Sequence, residues 1–275
     1  MRHAVVLAAL LACPGCDVIG AHLDNKYVER EEKRFSITGR PEVALTTFDG
    51  AIEIRPWDKP EVEVVIEKRG PDQASVAEIE VEATQSGDRI QVEVKSPRHR
   101  MGLHLGPSPV AKLMVSLPAS SDIVARSSDG AIDIERMSGR VELRSGDGRI
   151  RASAMAGDVN AQTGDGRIDL DGTFSGLHAR SGDGRVKIHV APGATPSGDW
   201  DVSTGDGSVT LELPEGFNSE LDAHTGDGRV EIEGVTLSNV TGEIRKNSVR
   251  GRLGSGGYVV HVRTGDGSIT LRAGS

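Results

Sequence analysis

Six aspartates, Asp147, Asp165, Asp183, Asp206, Asp227 and Asp266, each stand between two glycines in the pattern Ser/Thr-Gly-Asp-Gly-Arg/Ser-Ile/Val. Carboxylates repeated on glycine-rich turns are what calcium-binding β-rolls use. Those rolls, however, repeat Gly-Gly-x-Gly-x-Asp-x-apolar with a turn every nine residues. Here the aspartate lies between the glycines, and the apolar residue follows three positions on. A hard cation also wants six to eight oxygens. Turn structure is therefore the favoured role of these six residues, with calcium as the secondary reading. Stacked in a column about 5 Å apart, two carboxylates repel by about 0.8 kcal/mol in bulk water and about 3 kcal/mol at an effective dielectric of 20. Such a column needs solvent or counter-charge. Arg149, Arg167, Arg185 and Arg229 follow two residues after an aspartate and are expected to interleave with the column.

Other chemistry has less support. A Gly-x-Ser-x-Gly nucleophile elbow does not occur, and the Gly-Ser-Gly-Gly run at Gly254 lacks a strand-to-helix context. The eight histidines are scattered; His99 and His104 share one loop without a recognised metal spacing. Gly-x-Gly here opens a strand, so a phosphate cradle at a helix N-terminus does not apply. Polysaccharide lyases on solenoids set carboxylates and bases across one sheet. The outward pairs Glu142/Arg144, Asn160/Gln162, His178/Arg180 and Asp222/His224 give mixed polarity without a clustered acid–base pair, which reads as a solvated face. Trp57 and Trp200 are candidates for stacking on sugars, though single tryptophans more often cover a core edge. No catalytic residue, metal or cofactor is expected. A net charge of −9 argues against nucleic acid, which requires a basic surplus.

The elements that carry these residues follow from a period. Aspartates at 129, 147, 165, 183, 206, 227 and 266 are 18, 18, 18, 23, 21 and 39 positions apart. The last step reads as two periods, with Asn247-Ser248 standing where Gly-Asp-Gly belongs. Weaker copies occur at Thr47 (TFDGAI) and Ser86 (SGDRI). Around each copy the sequence alternates. Val141, Leu143 and Ser145 precede one corner, and Ile150 and Ala152 follow it; Val159, Ala161, Thr163, Ile168 and Leu170 repeat the scheme. Alternation of period two is the strand signature. Ser145 and Ile150 are an odd number of residues apart yet must both face inward, so the backbone turns a corner between them. Gly146 and Gly148 are expected to allow this through positive φ. The same role falls to Gly164 and Gly166, Gly182 and Gly184, Gly205 and Gly207, Gly226 and Gly228, and Gly265 and Gly267. The Ser or Thr before each corner takes the last, narrow inward position, where stacked hydroxyls can bond one another or corner backbone.

Eighteen residues with two corners suit one turn of an all-β solenoid, in which each coil pairs with the next at 4.7–4.9 Å. About eight coils make a rod about 40 Å long. A meander of hairpins is the competing geometry. Only 3% of residues are aromatic and 35 are glycine, so the core must be thin. Regular coils are expected over 118–275, and looser, wider coils or a small sandwich over 35–117, where PDQASVAE reads as a single helical turn.

Residues 1–15 read as an export signal: an apolar run from Ala4 to Ala12, too short for a bilayer span of about 20 residues. Leu-Leu-Ala before Cys13 resembles the lipobox of bacterial lipoproteins, with Cys16 the alternative lipidation site. Both cysteines fall directly after the apolar run and none follows, so no disulfide braces the domain. Residues 16–34 read as a charged tether, leaving 35–275 as the folded domain.

The repeated corner and the closing VRGRLGSGGYVVHVRTGDGSITL resemble the bacterial DUF4097 family, also described as adhesin or toast-rack domains. The resemblance implies an all-β, solenoid-like envelope protein without established catalysis, and it carries over no catalytic residues. The reading is a non-enzymatic scaffold or adhesion module, lipid-anchored to a membrane, with envelope proteins or glycans as partners. The alternatives are a carbohydrate-active enzyme on the solenoid face, a calcium-stabilised adhesin and an envelope-stress signalling accessory.

Overall fold

Alternation on both sides of every corner dictates two facing sheets that share a core two side chains thick. The computed structural model has this arrangement and describes residues 27–96, 108–242 and 246–274. The chain begins with β1 (Tyr27–Ser36), β2 (Glu42–Thr47), β3 (Ile52–Trp57) and β4 (Glu61–Gly70), then α1 (Gln73–Ala77), β5 (Glu80–Ser86), β6 (Arg89–Lys95) and β7 (Val110–Pro118). The regular region holds β8 (Asp122–Ser127), β9 (Ile132–Glu135), β10 (Ser138–Ser145), β11 (Ile150–Thr163), β12 (Ile168–Ser181) and β13 (Val186–Val190). It is followed by β14 (Trp200–Thr204), β15 (Val209–Leu213), β16 (Ser219–Thr225), β17 (Val230–Glu233), β18 (Leu237–Gly242), β19 (Ser248–Leu253), β20 (Val259–Thr264) and β21 (Ile269–Ala273).

Strands leading into a corner form sheet 1, and strands leaving it form sheet 2. β11 and β12 run through the opposite turn and belong to both. Stacking is parallel and in register. In sheet 2, Ile52, Ile132, Ile150, Ile168, Val186, Val209, Ile269 and Val230 form one continuous inward row. All eight are fully buried. The longer steps of the repeat are absorbed opposite the corner, in residues 191–199 and 214–218. There Trp200 is fully buried, its ring centroid 6.2 Å from Phe174 and 5.4 Å from Phe217. It is a core plug and does not offer a sugar platform.

The coils do not stack in chain order. β20 lies between β14 and β16, and β21 between β15 and β17, so the last coil is inserted beneath the one before it. At the other end, β2 lies between β6 and β8, and β3 between β7 and β9. The 39-residue step is therefore not two periods: β19 pairs antiparallel with β16 and β18, capping sheet 1. Residues 246 and 247 do cross the last corner, where the Lys246 and Asn247 carbonyls accept from the Val230 and Thr225 amides.

Two other expectations are corrected. Residues 27–34, read as tether, are most of β1, antiparallel to β4. This edge strand is polar on both faces and is held by cross-strand pairs, Arg30–Glu67 at 2.7 Å and Lys68–Glu31 at 3.2 Å. The copy at Ser86 is a hairpin between β5 and β6, with Gly87 at φ 62°. The region before 117 continues the rod as coils, closed by the antiparallel strands β1, β4 and β5 and by α1, whose Val76 is buried. Charged antiparallel edges of this kind block end-to-end strand pairing. Cys13, Cys16, His99 and His104 lie outside the described residues.

Candidate functional site

The aspartate corner is the first site to place. Ser181 Oγ accepts from the Gly184 amide at 2.9 Å and donates to the Gly166 carbonyl of the adjacent coil at 2.8 Å. Ser145 repeats both bonds, to Gly148 and Gly130. Thr163, Thr204, Thr264 and Thr225 donate at 2.7–3.0 Å to Gly148, Gly184, Gly207 and Gly267. A buried hydroxyl thus satisfies its own corner and stitches it to the next. The glycines serve close approach. Gly146, Gly148 and their equivalents through Gly267 are not in the positive-φ region, contrary to the expectation from sequence. A Cβ on Gly166 would lie 2.1 Å from the Gly148 carbonyl oxygen, and one on Gly184 2.0 Å from that of Gly166. Positive φ occurs at the opposite turn, at Gly139 (134°) and Gly157 (111°).

The aspartates stand in a file along this edge. The Oδ1 atoms of Asp147, Asp165, Asp183 and Asp206 each lie within 3.8 Å of the Cβ position on the next corner's first glycine. All six sequence-predicted aspartates are exposed, which relieves their repulsion. At the rod's other end burial, with the charge of Asp129, raises the Asp49 carboxyl above its ordinary value. The arginines do not interleave: Arg149 turns to Asp133 (2.9 Å), Arg167 to Asp169 (3.4 Å) and Arg229 to Glu231 (3.9 Å), all on sheet 2. Among the described residues, no group of three or more His, Cys, Asp or Glu side chains is arranged to hold a metal.

The outer face of sheet 1 carries the larger concavity, a groove of about 780 Å³ crossing five coils. Its far edge holds Glu42, Asp122, Arg140 and Asp158, and its middle Ala44, Val124, Glu142, Asn160 and His178. Glu142 lies between Arg126 (2.7 Å) and Arg144 (3.0 Å). Asp158 accepts from Ser175 Oγ at 2.7 Å. The pairs read along the sequence, such as Asn160/Gln162 and His178/Arg180, therefore split into separate rows across the strands.

On sheet 2 a second hollow of about 550 Å³ contains Asp171, Lys187, His189 and Glu212. Glu212 meets Lys187 Nζ at 3.2 Å, His189 Nδ1 at 3.0 Å and the Arg272 guanidinium. Burial opposes its ionisation, but hydrogen bonds from Arg272, Lys187 and His189 outweigh that and hold its carboxyl at about 2. The cluster joins β13, β15 and β21, and the β17 coil intervenes in the chain between the last two, so no local spacing signals it. It is a satisfied ion-pair network with one carboxylate at its centre.

A family model described as Toastrack DUF4097 matches residues 28–272. The chain belongs to the DUF4097 family. Solved structures similar to it include a candidate cell adhesion protein from Clostridium sporogenes, at 14% identity and TM-score 0.41, covering 90% of this chain and 100% of that one. A candidate adhesin from Bacteroides fragilis has 11% identity and TM-score 0.46, covering 90% and 97%. A candidate lipid binding protein from Parabacteroides distasonis has 13% identity and TM-score 0.33, covering 90% and 98%. No curated protein matches the chain. Among the described residues of this DUF4097 protein, no helix is long and apolar enough to cross a membrane.

Proposed function

We propose that this DUF4097 protein is a non-enzymatic binding module of the bacterial cell envelope, exported and lipid-anchored through Cys13, with Cys16 the alternative. The observation that carries the reading is the unbroken groove across five coils of sheet 1. Its charged side chains are engaged laterally, as in Arg89–Glu42 at 2.7 Å and Arg40–Asp122 at 2.6 Å, and do not converge on one reacting centre. Such a surface recognises an extended partner by repeated contacts. Its rigidity comes from the hydroxyl-stitched corners behind it. Binding of the purified chain to an envelope glycan panel, with Val124→Arg to block the groove, tests the module; turnover of any panel member would contradict it. Labelling with a fatty-acid analogue in wild type, Cys13→Ala and Cys16→Ala tests the anchor, and unchanged labelling in both variants would remove it.

A further inference from the structure

Resting on that binding-module reading, we propose that the outer face of sheet 1 takes a linear polyuronate, a chain of carboxylated sugar rings laid along the rod. Two observations meet here. The row nearest the corners runs Arg126, Arg144, Gln162, Arg180, Ser203 and Arg263 across six in-register strands. At a strand spacing of about 4.8 Å this row is about 24 Å long. It holds no carboxylate, although the chain has 41 acidic and 32 basic residues. Glu142 is shared by two of its arginines. Arg263 reaches Asp201 only at 3.7 Å. Arg180 is exposed and makes no ion pair among the described residues.

The second observation is the groove alongside. Its floor of Ala44, Val124, Glu142 and Asn160 separates the arginine row from an edge row in which the carboxylates Glu42, Asp122 and Asp158 outnumber Arg140. Edge and row are four residues apart along each strand, about 13 Å. That exceeds the screening length of about 8 Å at physiological ionic strength. The track thus offers planar guanidinium forks on one side, which match carboxylates bidentately, and acceptors for hydroxyl groups on the other. A uronate chain presents both. A polyphosphate carries charge on every side and meets the edge carboxylates, and a neutral glycan leaves the guanidinium row unmatched.

Calorimetric titration of the full chain with oligogalacturonate long enough to span the row tests this, with dextran and polyphosphate as comparison polymers. Wild type is expected to bind oligogalacturonate, more weakly as salt rises. The combined variant Arg144→Gln, Arg180→Gln and Arg263→Gln should lose at least about tenfold in affinity. The corresponding Lys variant should recover only part, because a point charge lacks the fork. Unchanged urea midpoints show that both variants are folded, as expected for exposed side chains. Full affinity in the Gln variant, polyphosphate binding as tightly as oligogalacturonate, or no binding of oligogalacturonate would overturn the proposal. Dextran binding blocked by Val124→Arg would overturn it while leaving the binding module standing.

Discussion

Replacing Ser181 with alanine removes one oxygen from the middle of the rod and tests the stitching of its corners. Ser181 is 2% exposed, and its hydroxyl serves two backbone groups, the Gly184 amide and the Gly166 carbonyl. A hydrogen bond contributes about 0.5–1.5 kcal/mol net, and a buried partner left unmatched costs about 1–3 kcal/mol. Two groups orphaned together, with no space for water between coils in contact, give an expected loss of about 2–4 kcal/mol. That is a large part of the roughly 5–15 kcal/mol available to a domain. Ser181→Thr keeps the hydroxyl, as Thr163 and Thr204 do in the neighbouring coils, and should lose little. Urea unfolding followed by circular dichroism reads the difference as a shifted midpoint with the slope unchanged. A Ser181→Ala midpoint matching wild type, or Ser181→Thr as damaging as Ser181→Ala, would refute the reasoning.

Gly166→Ala should cost more than Ser181→Ala, because its methyl carbon would meet a carbonyl oxygen at 2.1 Å. Gly193→Ala has φ +87° with nothing within 4 Å and should cost only about 1 kcal/mol of backbone strain; urea midpoints compare the two. Trp200→Ala should destabilise by about 3–5 kcal/mol, since it empties the aromatic plug against Phe174 and Phe217. Glu212 has a folded carboxyl value depressed from 4.5 to about 2, so its stabilising contribution is complete above 4.5 and is lost as pH falls toward 2. Glu212→Gln should therefore be less stable than wild type at pH 7, and the gap in thermal midpoint should close between pH 4.5 and 2. An equal gap at both ends would contradict the network.

Much of the rod was legible because each unit repeats its inward residues at fixed offsets from the aspartate, and stacking in register preserves those offsets in space. The hydroxyl before each corner was legible for the same reason. The coil order was not, because units with the same corner fit any neighbour. The unit at Asp266 sits as well beneath the Asp227 coil as above it, and only the antiparallel cap of β18 and β19 decides. β1 was missed because an edge strand supported by ion pairs has no buried face to alternate, apart from Phe35. The corner glycines were identified for the wrong reason: collision with the adjacent coil, a contact between residues about 18 positions apart, requires them. The arginine row was present in the sequence as Arg126, Arg144, Arg180 and Arg263, each three residues before a corner aspartate. Reading down the strands concealed it, because the row runs across them.

Cysteine cross-linking at the corners tests the stacked, reordered rod most directly, in a chain whose Cys13 and Cys16 are replaced by serine. Adjacent coils place equivalent positions about 4.8 Å apart, within disulfide reach, and alternate coils at about twice that, beyond it. The account predicts efficient bridging between Asp206→Cys and Asp266→Cys and between Asp266→Cys and Asp227→Cys, with none between Asp206→Cys and Asp227→Cys. Bridging of positions 206 and 227 would contradict it.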